Sequence, residues 1–301
     1  MSITVRGLTV RYKKLLAVDD VTFSVALGEI FGVIGPNGAG KTSTIECIEG
    51  LRQAAGGEIR VLGIDPRNRR ELYKHIGVQL QETFYPPLIR VGELCQLFSS
   101  FYSQPLSYRD LLERFDLGAK SKARLDNLSG GQRRKVSIVL ALLGNPQILF
   151  LDELTTGLDP QARKDMWELI KSLRVDGKTV FMTTHYMEEA EYLCDRVCML
   201  VQGKVAALGS PKDLVAQGEQ IQVITFTAGE EAGALGQLPG VSSVTRTGDR
   251  IEILGRGDNL LRDVVVWLAE QKIPFNNLSQ SRTNLEDVYL RLAGASKGEE
   301  R

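Results

Sequence analysis

The sequence predicts an α/β protein: a mixed-sheet core with an antiparallel β subdomain and a helical subdomain, followed by a small C-terminal α+β domain. Three observations predict it. Residues 28–35 (GEIFGVIG) are a short apolar run ending in glycine, and they feed a helix, GAGKTSTIECIEGL, through a glycine-rich turn. Residues 147–153 (QILFLDE) are an apolar run closed by two acids, the pattern of a strand buried on both faces of a parallel sheet. Beyond residue 218 the order strand, helix, strand, strand, helix, strand suggests a split βαβ unit.

Composition sets the bounds. A chain of 301 residues is long enough for one large domain and one small one. Hydrophobic residues at 43% and charged residues at 25% are ordinary for a soluble globular protein. Lys+Arg and Asp+Glu both number 37, so the formal charge is zero and no nucleic-acid partner is expected. No apolar run reaches the roughly 18 residues of a membrane span. The opening MSITVRGLTVRY carries charges inside its apolar stretch and lacks a signal-peptide pattern, so the chain is expected to stay where it is made. Cys47, Cys95, Cys194 and Cys198 read as reduced, buried thiols. With only two histidines, neither close to Cys194 and Cys198, a zinc site is not expected.

Each element follows from its local pattern. Residues 1–27 alternate apolar and polar side chains, as antiparallel strands with one wet face do. Residues 90–127 read as helical. The helix over 129–146 takes Ser129 as N-cap and stops before Pro146. A helix over 161–174, a strand over 178–184, a helix over 186–193 and a hairpin over 196–209 turning at Gln202-Gly203 follow. A short helix over 210–218 has a serine cap, proline at its first position and a glycine stop. The expected domains are therefore 1–218, with the helical subdomain at about 90–145, then 219–294, then a charged tail, 295–301. Within the second domain the expected elements are strand 221–227, helix 229–237, strands 241–247 and 250–254, helix 258–271, strand 273–279 and a last helix, 284–293.

Chemistry concentrates in three motifs. GPNGAGKT, residues 35–42, fits G-x-x-x-x-G-K-[ST]. A polyphosphate must be wrapped by backbone N–H groups, so side chains are absent at Gly35, Gly38 and Gly40. The helix that follows points its N-terminus at the anion. Lys41 then reaches the β- and γ-phosphates and the Thr42 hydroxyl ligates Mg2+; Pro36, Asn37, Ala39 and Ser43 complete the candidate nucleotide-binding loop. In LFLDE, Asp152 and Glu153 stand at the C-terminal edge of a strand, where open α/β sheets bind ligands. Asp152 is the candidate that holds the metal through its water shell. Glu153 is the candidate base that polarises water, an effect usually worth about 10²–10⁴ in rate. LSGGQ opens a helix with Ser129, Gly130, Gly131 and Gln132, either as an N-cap serine with a flexible glycine pair or as a second phosphate nest. One domain already holds its phosphates at 35–42, so this nest makes sense if it covers a nucleotide bound by another subunit.

GPNGAGKT, LSGGQ and LFLDE, in this order and spacing, resemble the ATP-binding-cassette (ABC) ATPases over residues 2–218. The resemblance implies ATP and Mg2+ as cofactors and ATP hydrolysis as the activity. It also implies that two cassettes close face to face, and the complete motif set in one chain is consistent with a homodimer, a sister cassette being the alternative. TTGLDP (155–160), with Asp159, is similar to the family's loop that passes between the two subunits. His185 resembles the switch histidine that contacts the γ-phosphate. Gln81 resembles the glutamine that senses γ-phosphate and metal, with Gln79 as the competing candidate. Tyr12 resembles the aromatic residue that stacks on adenine, against the plainer role of a strand-core tyrosine. Lys41, Gln81, Glu153 and His185 are thus the catalytic candidates, and Thr42, Gln81 and Asp152 the metal candidates. Leu154 departs from the family's proline, which puts loop stiffness and subunit coupling in doubt.

A membrane permease is the implied partner, docked near Gln81 and residues 90–127, with Phe84, Tyr85 and Leu88 lining a groove or else packing as subdomain core. The implied location is the cytoplasmic face of the cell membrane. TNLEDVYLRLAG (283–294) resembles the close of the C-terminal extension of bacterial exporter ATPases, which serve drug, antibiotic, lipid or polysaccharide export. Arg246, Arg250, Arg256 and Arg262 read as a solvated face. An importer ATPase is the alternative, against which the helix-rich 258–293 argues. A soluble, non-transport ABC ATPase is another, and a single cassette without a coiled-coil insert argues against it. A regulatory cassette that only binds ATP is opposed by Glu153 and His185.

Overall fold

The computed structural model describes residues 1–13, 15–80, 85–217, 222–229, 235–282 and 284–298. The chain divides into two compact units, Met1–Pro211 and Lys212–Arg301. The helix expected over 210–218 runs from Pro211 to Gln217, so the division falls at its first turn rather than after its last.

The first unit holds two sheets. Strands β1 (Ile3–Tyr12), β2 (Leu15–Val25) and β4 (Gly56–Val61) form an antiparallel sheet in the order β2-β1-β4. The second sheet has six strands: β3 (Ile30–Ile34), β5 (Ile76–Gln79), β6 (Ile148–Asp152), β7 (Thr179–Thr184), β8 (Arg196–Val201) and β9 (Lys204–Gly209). Their order is β5-β6-β7-β3-β8-β9, parallel through β8, with β9 returning antiparallel. Gln202 and Gly203, both at positive φ (49° and 81°), make that hairpin turn at the expected place. Every residue of β3, β6 and β7 is buried, which is why these strands read as unbroken apolar runs rather than alternating ones. Phe23 on β2 stacks on Phe31 of β3 at 5.2 Å and on Phe181 of β7 at 6.1 Å, so aromatic rings join the two sheets into one core.

Helices α1 (Lys41–Ile48), α2 (Arg69–Leu72), α3 (Val91–Ser99), α4 (Tyr108–Arg114), α5 (Gly130–Leu142), α6 (Pro160–Val175) and α7 (Met187–Leu193) complete the cassette. The region 90–127 is less helical than its composition suggests. It holds two short helices and two 3₁₀ turns, Gly118–Lys120 and Leu125–Asn127. Helix α5 stops short of Pro146: Asn145 turns into the left-handed region at φ 51°, and Gly144 lies against the Tyr102 ring, where a Cβ would come within 2.4 Å.

In the second unit, after α8 (Pro211–Gln217), strands β10 (Gln222–Ala228), β11 (Val241–Thr247), β12 (Arg250–Gly255) and β13 (Phe275–Arg282) form one sheet in the order β11-β12-β10-β13. All three pairings are antiparallel, the order a split βαβ unit produces. Helix α9 (Leu260–Glu270) buries Leu260, Val264 and Leu268 against Ile224, Phe226, Ile251 and Ile253. Of the helix expected over 229–237, residues 230–234 lie outside the described residues and Leu235–Gln237 is a 3₁₀ turn. The last helix, α10, runs from Leu285 to Gly298, past the expected end at 293 and into the segment read as a tail.

Candidate nucleotide site

Strand β3 delivers the chain to Gly35, and α1 begins at Lys41 with Gly40 as its N-cap. The three glycines are required for different reasons. A Cβ at Gly40 would fall 2.6 Å from the Ala17 carbonyl oxygen, and one at Gly35 would fall 2.5 Å from that of Leu200. These two let the loop lie against its own scaffold. Gly38 has nothing within 4 Å of where a Cβ would stand; its demand is conformational, φ 83°. Within the loop, Ala39 N–H donates to the Pro36 carbonyl at 3.2 Å and Lys41 Nζ donates to the same carbonyl at 3.1 Å.

A cleft of about 790 Å³ opens over this loop, lined by Tyr12, Asn37, Gly38, Gly40, Lys41, Thr42, Ser43, Glu153 and His185 among others. Residues far apart in sequence thus meet there. Lys41, 4% exposed, pairs with Glu153 Oε1 at 3.2 Å. His185 Nδ1 stands 3.5 Å from Glu153 Oε2, an ion-pair separation without hydrogen-bond alignment, and it has no other polar partner among the described residues. Glu153 itself is held in the left-handed region, φ 47°. Its backbone N–H donates to the Thr183 carbonyl (3.2 Å) and the Thr183 hydroxyl (3.1 Å), so β7 fixes the end of β6. The Thr183 hydroxyl in turn donates to the Asp152 carboxylate. Burial pushes the Asp152 carboxyl above its usual range, opposed by the Thr183 hydrogen bond and Lys41 and reinforced by Glu153.

Among the described residues, no group of three or more His, Cys, Asp or Glu side chains is placed to hold a metal ion. The donors Thr42 and Asp152 are oxygen atoms of the kind a Mg2+ ion takes when phosphates and water supply its remaining ligands. Asp152 is only 5% exposed, and a buried carboxylate beside one hydroxyl is a group that a cation would stabilise.

Other expected residues stand apart from the cleft. Ser129 caps α5 in a capping box: its hydroxyl accepts from Gln132 N–H at 3.2 Å, and Gln132 Oε1 accepts from Ser129 N–H at 3.1 Å. Ser129 and Gly130 are exposed. Asp159 is exposed too and caps α6, accepting from Ala162 N–H at 2.9 Å. The two caps are neighbours, since a Cβ on Gly131 would lie 3.4 Å from that of Ala162. Gln81 lies outside the described residues, as does Phe84. Gln79 is buried on β5, and its amide donates to the Leu80 carbonyl. Leu154 is 1% exposed, so it supplies packing where proline would supply stiffness, and it leaves Glu153 without the restriction that a following proline imposes. Tyr12, at the end of β1, is 37% exposed and so is no core tyrosine; its hydroxyl shares a hydrogen bond with Ser43 Oγ at 2.9 Å.

Sequence reasoning passed over four residues. Thr183 stands two before His185 in FMTTH. Glu189 is 1% exposed and accepts from Thr155 Oγ1 at 2.8 Å, from Trp167 Nε1 at 3.0 Å and from the Thr184 hydroxyl, joining the loop after Glu153 to the strand end before His185. Its signal was an acid at the inward position of α7, one turn before buried Leu193. Glu49 is a carboxyl 1% exposed at the C-cap of α1. Arg52 lies over the Tyr12 ring, 4.4 Å from its centroid.

Residues 18–156 match the family model described as ABC transporter. The chain is 36% identical over 304 residues to the Nod factor export ATP-binding protein I of Ralstonia nicotianae, covering 97% of this chain and 94% of that protein. It is 38% identical over 295 residues to the protein of the same name from Rhizobium etli, covering 94% and 90%. Among solved structures, an ATP-binding subunit of an ABC transporter superposes with TM-score 0.65 at 29% identity, covering 72% of this chain and 93% of that one. A dimeric ATP-binding cassette in a post-hydrolysis state, bound to ADP and Pi, superposes with TM-score 0.62 at 28% identity, covering 69% and 98%. With the phosphate loop, the buried acids at the end of β6 and the full-length likeness to these relatives, the chain belongs to the ABC transporter family as an ATP-binding, ATP-hydrolysing subunit.

Proposed function

We propose that the chain drives an exporter: two copies close over ATP and Mg2+ on the cytoplasmic face of the cell membrane and move a separate permease. The observation that carries this reading is the meeting of Lys41, Glu153 and His185 in one cleft, while Ser129 and Gly130 lie exposed and outside that lining. A phosphate nest that does not face its own cleft is available to the γ-phosphate of a second copy. Export as the direction rests on the relatives, which are named for Nod factor export.

Each residue has its part in this reading. The Gly35–Thr42 backbone and the N-terminus of α1 bind the polyphosphate. Mg2+, held by Thr42 and Asp152 with Gln81 as a further candidate, screens the charge on the β- and γ-phosphates when bound. Tyr12 offers its ring to adenine. An incoming γ-phosphate competes with Glu153 for the Lys41 ammonium, and Glu153, released from that pair, accepts the proton of the attacking water. His185, 3.5 Å from Glu153, contacts the γ-phosphate and steadies the acid in this reading.

The permease is assigned to an apolar groove of about 340 Å³ lined by Leu51, Tyr73, Leu80, Tyr85, Phe98 and Tyr102, of which Leu80 and Tyr85 flank residues 81–84 in the sequence. Exposed Leu97 and Phe101 extend the apolar surface around it. Among the described residues no helix is long and apolar enough to cross a membrane, so the membrane-spanning part is assigned to the permease.

The test is ATP hydrolysis and oligomeric state for wild type and Glu153→Gln. Turnover in the wild type that is lost in the variant, with an ATP-dependent dimer in the variant, supports the reading. A variant that stays monomeric with ATP, or that hydrolyses at the wild-type rate, sinks it.

A further inference from the structure

Arg52 belongs to none of the motifs and does not line the ATP cleft. Its guanidinium nonetheless lies 4.4 Å from the centroid of the Tyr12 ring, within cation–π range. The two residues face different spaces. Tyr12 lines the ATP cleft, whereas Arg52 lines a separate cavity of about 390 Å³, with Gln53 and Ala54. Arg52 therefore covers one face of the ring without lining the ATP cleft.

Arg52 is anchored at both ends by one residue. Its backbone N–H donates to the Glu46 carbonyl at 3.0 Å, and its Nε donates to Glu46 Oε2 at 2.6 Å. The pair is partly buried, with side chains 34% and 29% exposed. Three residues earlier on α1, and so on the same helical face, Ser43 Oγ holds the Tyr12 hydroxyl at 2.9 Å. One helix thus brackets the ring, through Ser43 at its edge and through Glu46 and Arg52 at its back. That same helix carries Lys41 and Thr42.

We propose that Arg52 is a positioning residue for the nucleotide base: anchored by Glu46, it fixes the Tyr12 ring from behind and leaves the opposite face to stack on the purine. Two physical effects act together. The cation polarises the ring and makes its free face a better partner for an electron-rich purine. The clamp also removes rotational freedom that a 37% exposed tyrosine would lose on binding. Because the anchor and the phosphate loop share α1, base and phosphates are read in one rigid frame. This inference rests on Tyr12 as the base platform.

The test compares ATP with inorganic tripolyphosphate, which has the phosphates but no base, each with Mg2+, by calorimetric binding to wild type, Arg52→Gln, Arg52→Lys, Tyr12→Ala and the Tyr12→Ala/Arg52→Gln double variant. Arg52→Gln is expected to weaken ATP about three- to fivefold, to leave tripolyphosphate unchanged, and to raise the KM for ATP without changing kcat. Arg52→Lys is expected to recover part of the loss. Tyr12→Ala is expected to lose more, with no further loss in the double variant. Equal weakening of both ligands would make the effect a general one on the loop and overturn the proposal. So would unchanged ATP affinity in Arg52→Gln beside a weakened Tyr12→Ala. If Tyr12→Ala itself binds ATP normally, the platform reading falls, and Arg52 with it.

Discussion

Glu49 gives the sharpest test of the energetics beneath the nucleotide loop. Its carboxyl is 1% exposed, and one of its oxygens, Oε1, has no hydrogen-bond partner among the described residues. Glu49 also stands at the C-cap of α1, the negative end of the helix dipole, which further disfavours a carboxylate. Burial first, then the nearby charges of Asp152 and Glu46, push its pKa from 4.5 up to about 9. The sign follows from linkage. Between these values the native state keeps a proton that the unfolded chain has lost, so the native state is fully favoured below pH 4.5 and loses stability as pH climbs towards 9. At pH 7.5 the loss has a ceiling of about 4 kcal/mol, from ~1.4 kcal/mol per pH unit. Glu49→Gln keeps the shape and removes the titration. It is expected to leave stability near pH 5 almost unchanged and to gain about 2–4 kcal/mol at pH 7.5, roughly 5–10 °C in the melting temperature of the cassette. Calorimetric melts of both proteins from pH 5 to pH 8.5, with ATP hydrolysis as a check on the site, measure this. Parallel pH dependences, or a variant less stable than wild type at pH 8.5, would refute the buried neutral acid.

Three further predictions concern the site and its partner surface. Glu189→Ala leaves the Thr155 and Thr184 hydroxyls and the Trp167 N–H without their shared acceptor; calorimetry is expected to show a loss of about 2–4 kcal/mol and kinetics a fall in kcat, while Glu189→Gln retains most of both. Gly40→Ala drives a methyl into the Ala17 carbonyl at 2.6 Å and is expected to abolish ATP binding, whereas Gly38→Ala, with open space but φ 83°, is expected to cost only about 1–2 kcal/mol and to keep measurable binding in the same titration. Phe98→Ala in the apolar groove is expected to leave the basal ATPase rate of the isolated chain intact and to reduce co-purification with, and stimulation by, its permease.

The cassette was legible because its constraints are local. A strand buried on both faces has to be an apolar run, and QILFLDE and FMTT could be read as such without knowing their neighbours. Glycine at Gly38 and Gly40 announces a backbone that other residues do not adopt. Strands β4 and β5 were missed, since GGEIRV is half exposed with two leading glycines and IGVQ spans only four residues. The region 90–127 read as helical on VGELCQLFSSFY and SYRDLLERF, which do hold α3 and α4, while Gly118–Lys120 and Leu125–Asn127 after them form 3₁₀ turns. In the site, Lys41, Asp152, Glu153 and His185 carried motif signals. Thr183, Glu189, Arg52 and Glu49 did not, because their roles depend on which elements the sheet order makes adjacent: β6 beside β7, and β1 beside α1.

That adjacency explains why the site can act as a unit. Glu153 at the end of β6 is fixed through its backbone by Thr183 of β7, while Thr184, the next residue, reaches Glu189 on α7. Glu189 also holds Thr155, two residues after Glu153. The acid and His185 are therefore set by the same short piece of β7 and by one buried carboxylate, and a displacement of either loop is felt by both. On the other side, α1 carries Lys41 to Glu153 and holds Tyr12 through Ser43, and through Glu46 by way of Arg52. The Lys41–Glu153 pair, with both side chains under a tenth exposed, is an ion pair that joins these two halves of the site. In the proposed reading, a γ-phosphate that draws Lys41 away acts on the α1 half and the β6–β7 half at once, and through Thr155 on the 155–160 loop beside the α5 cap.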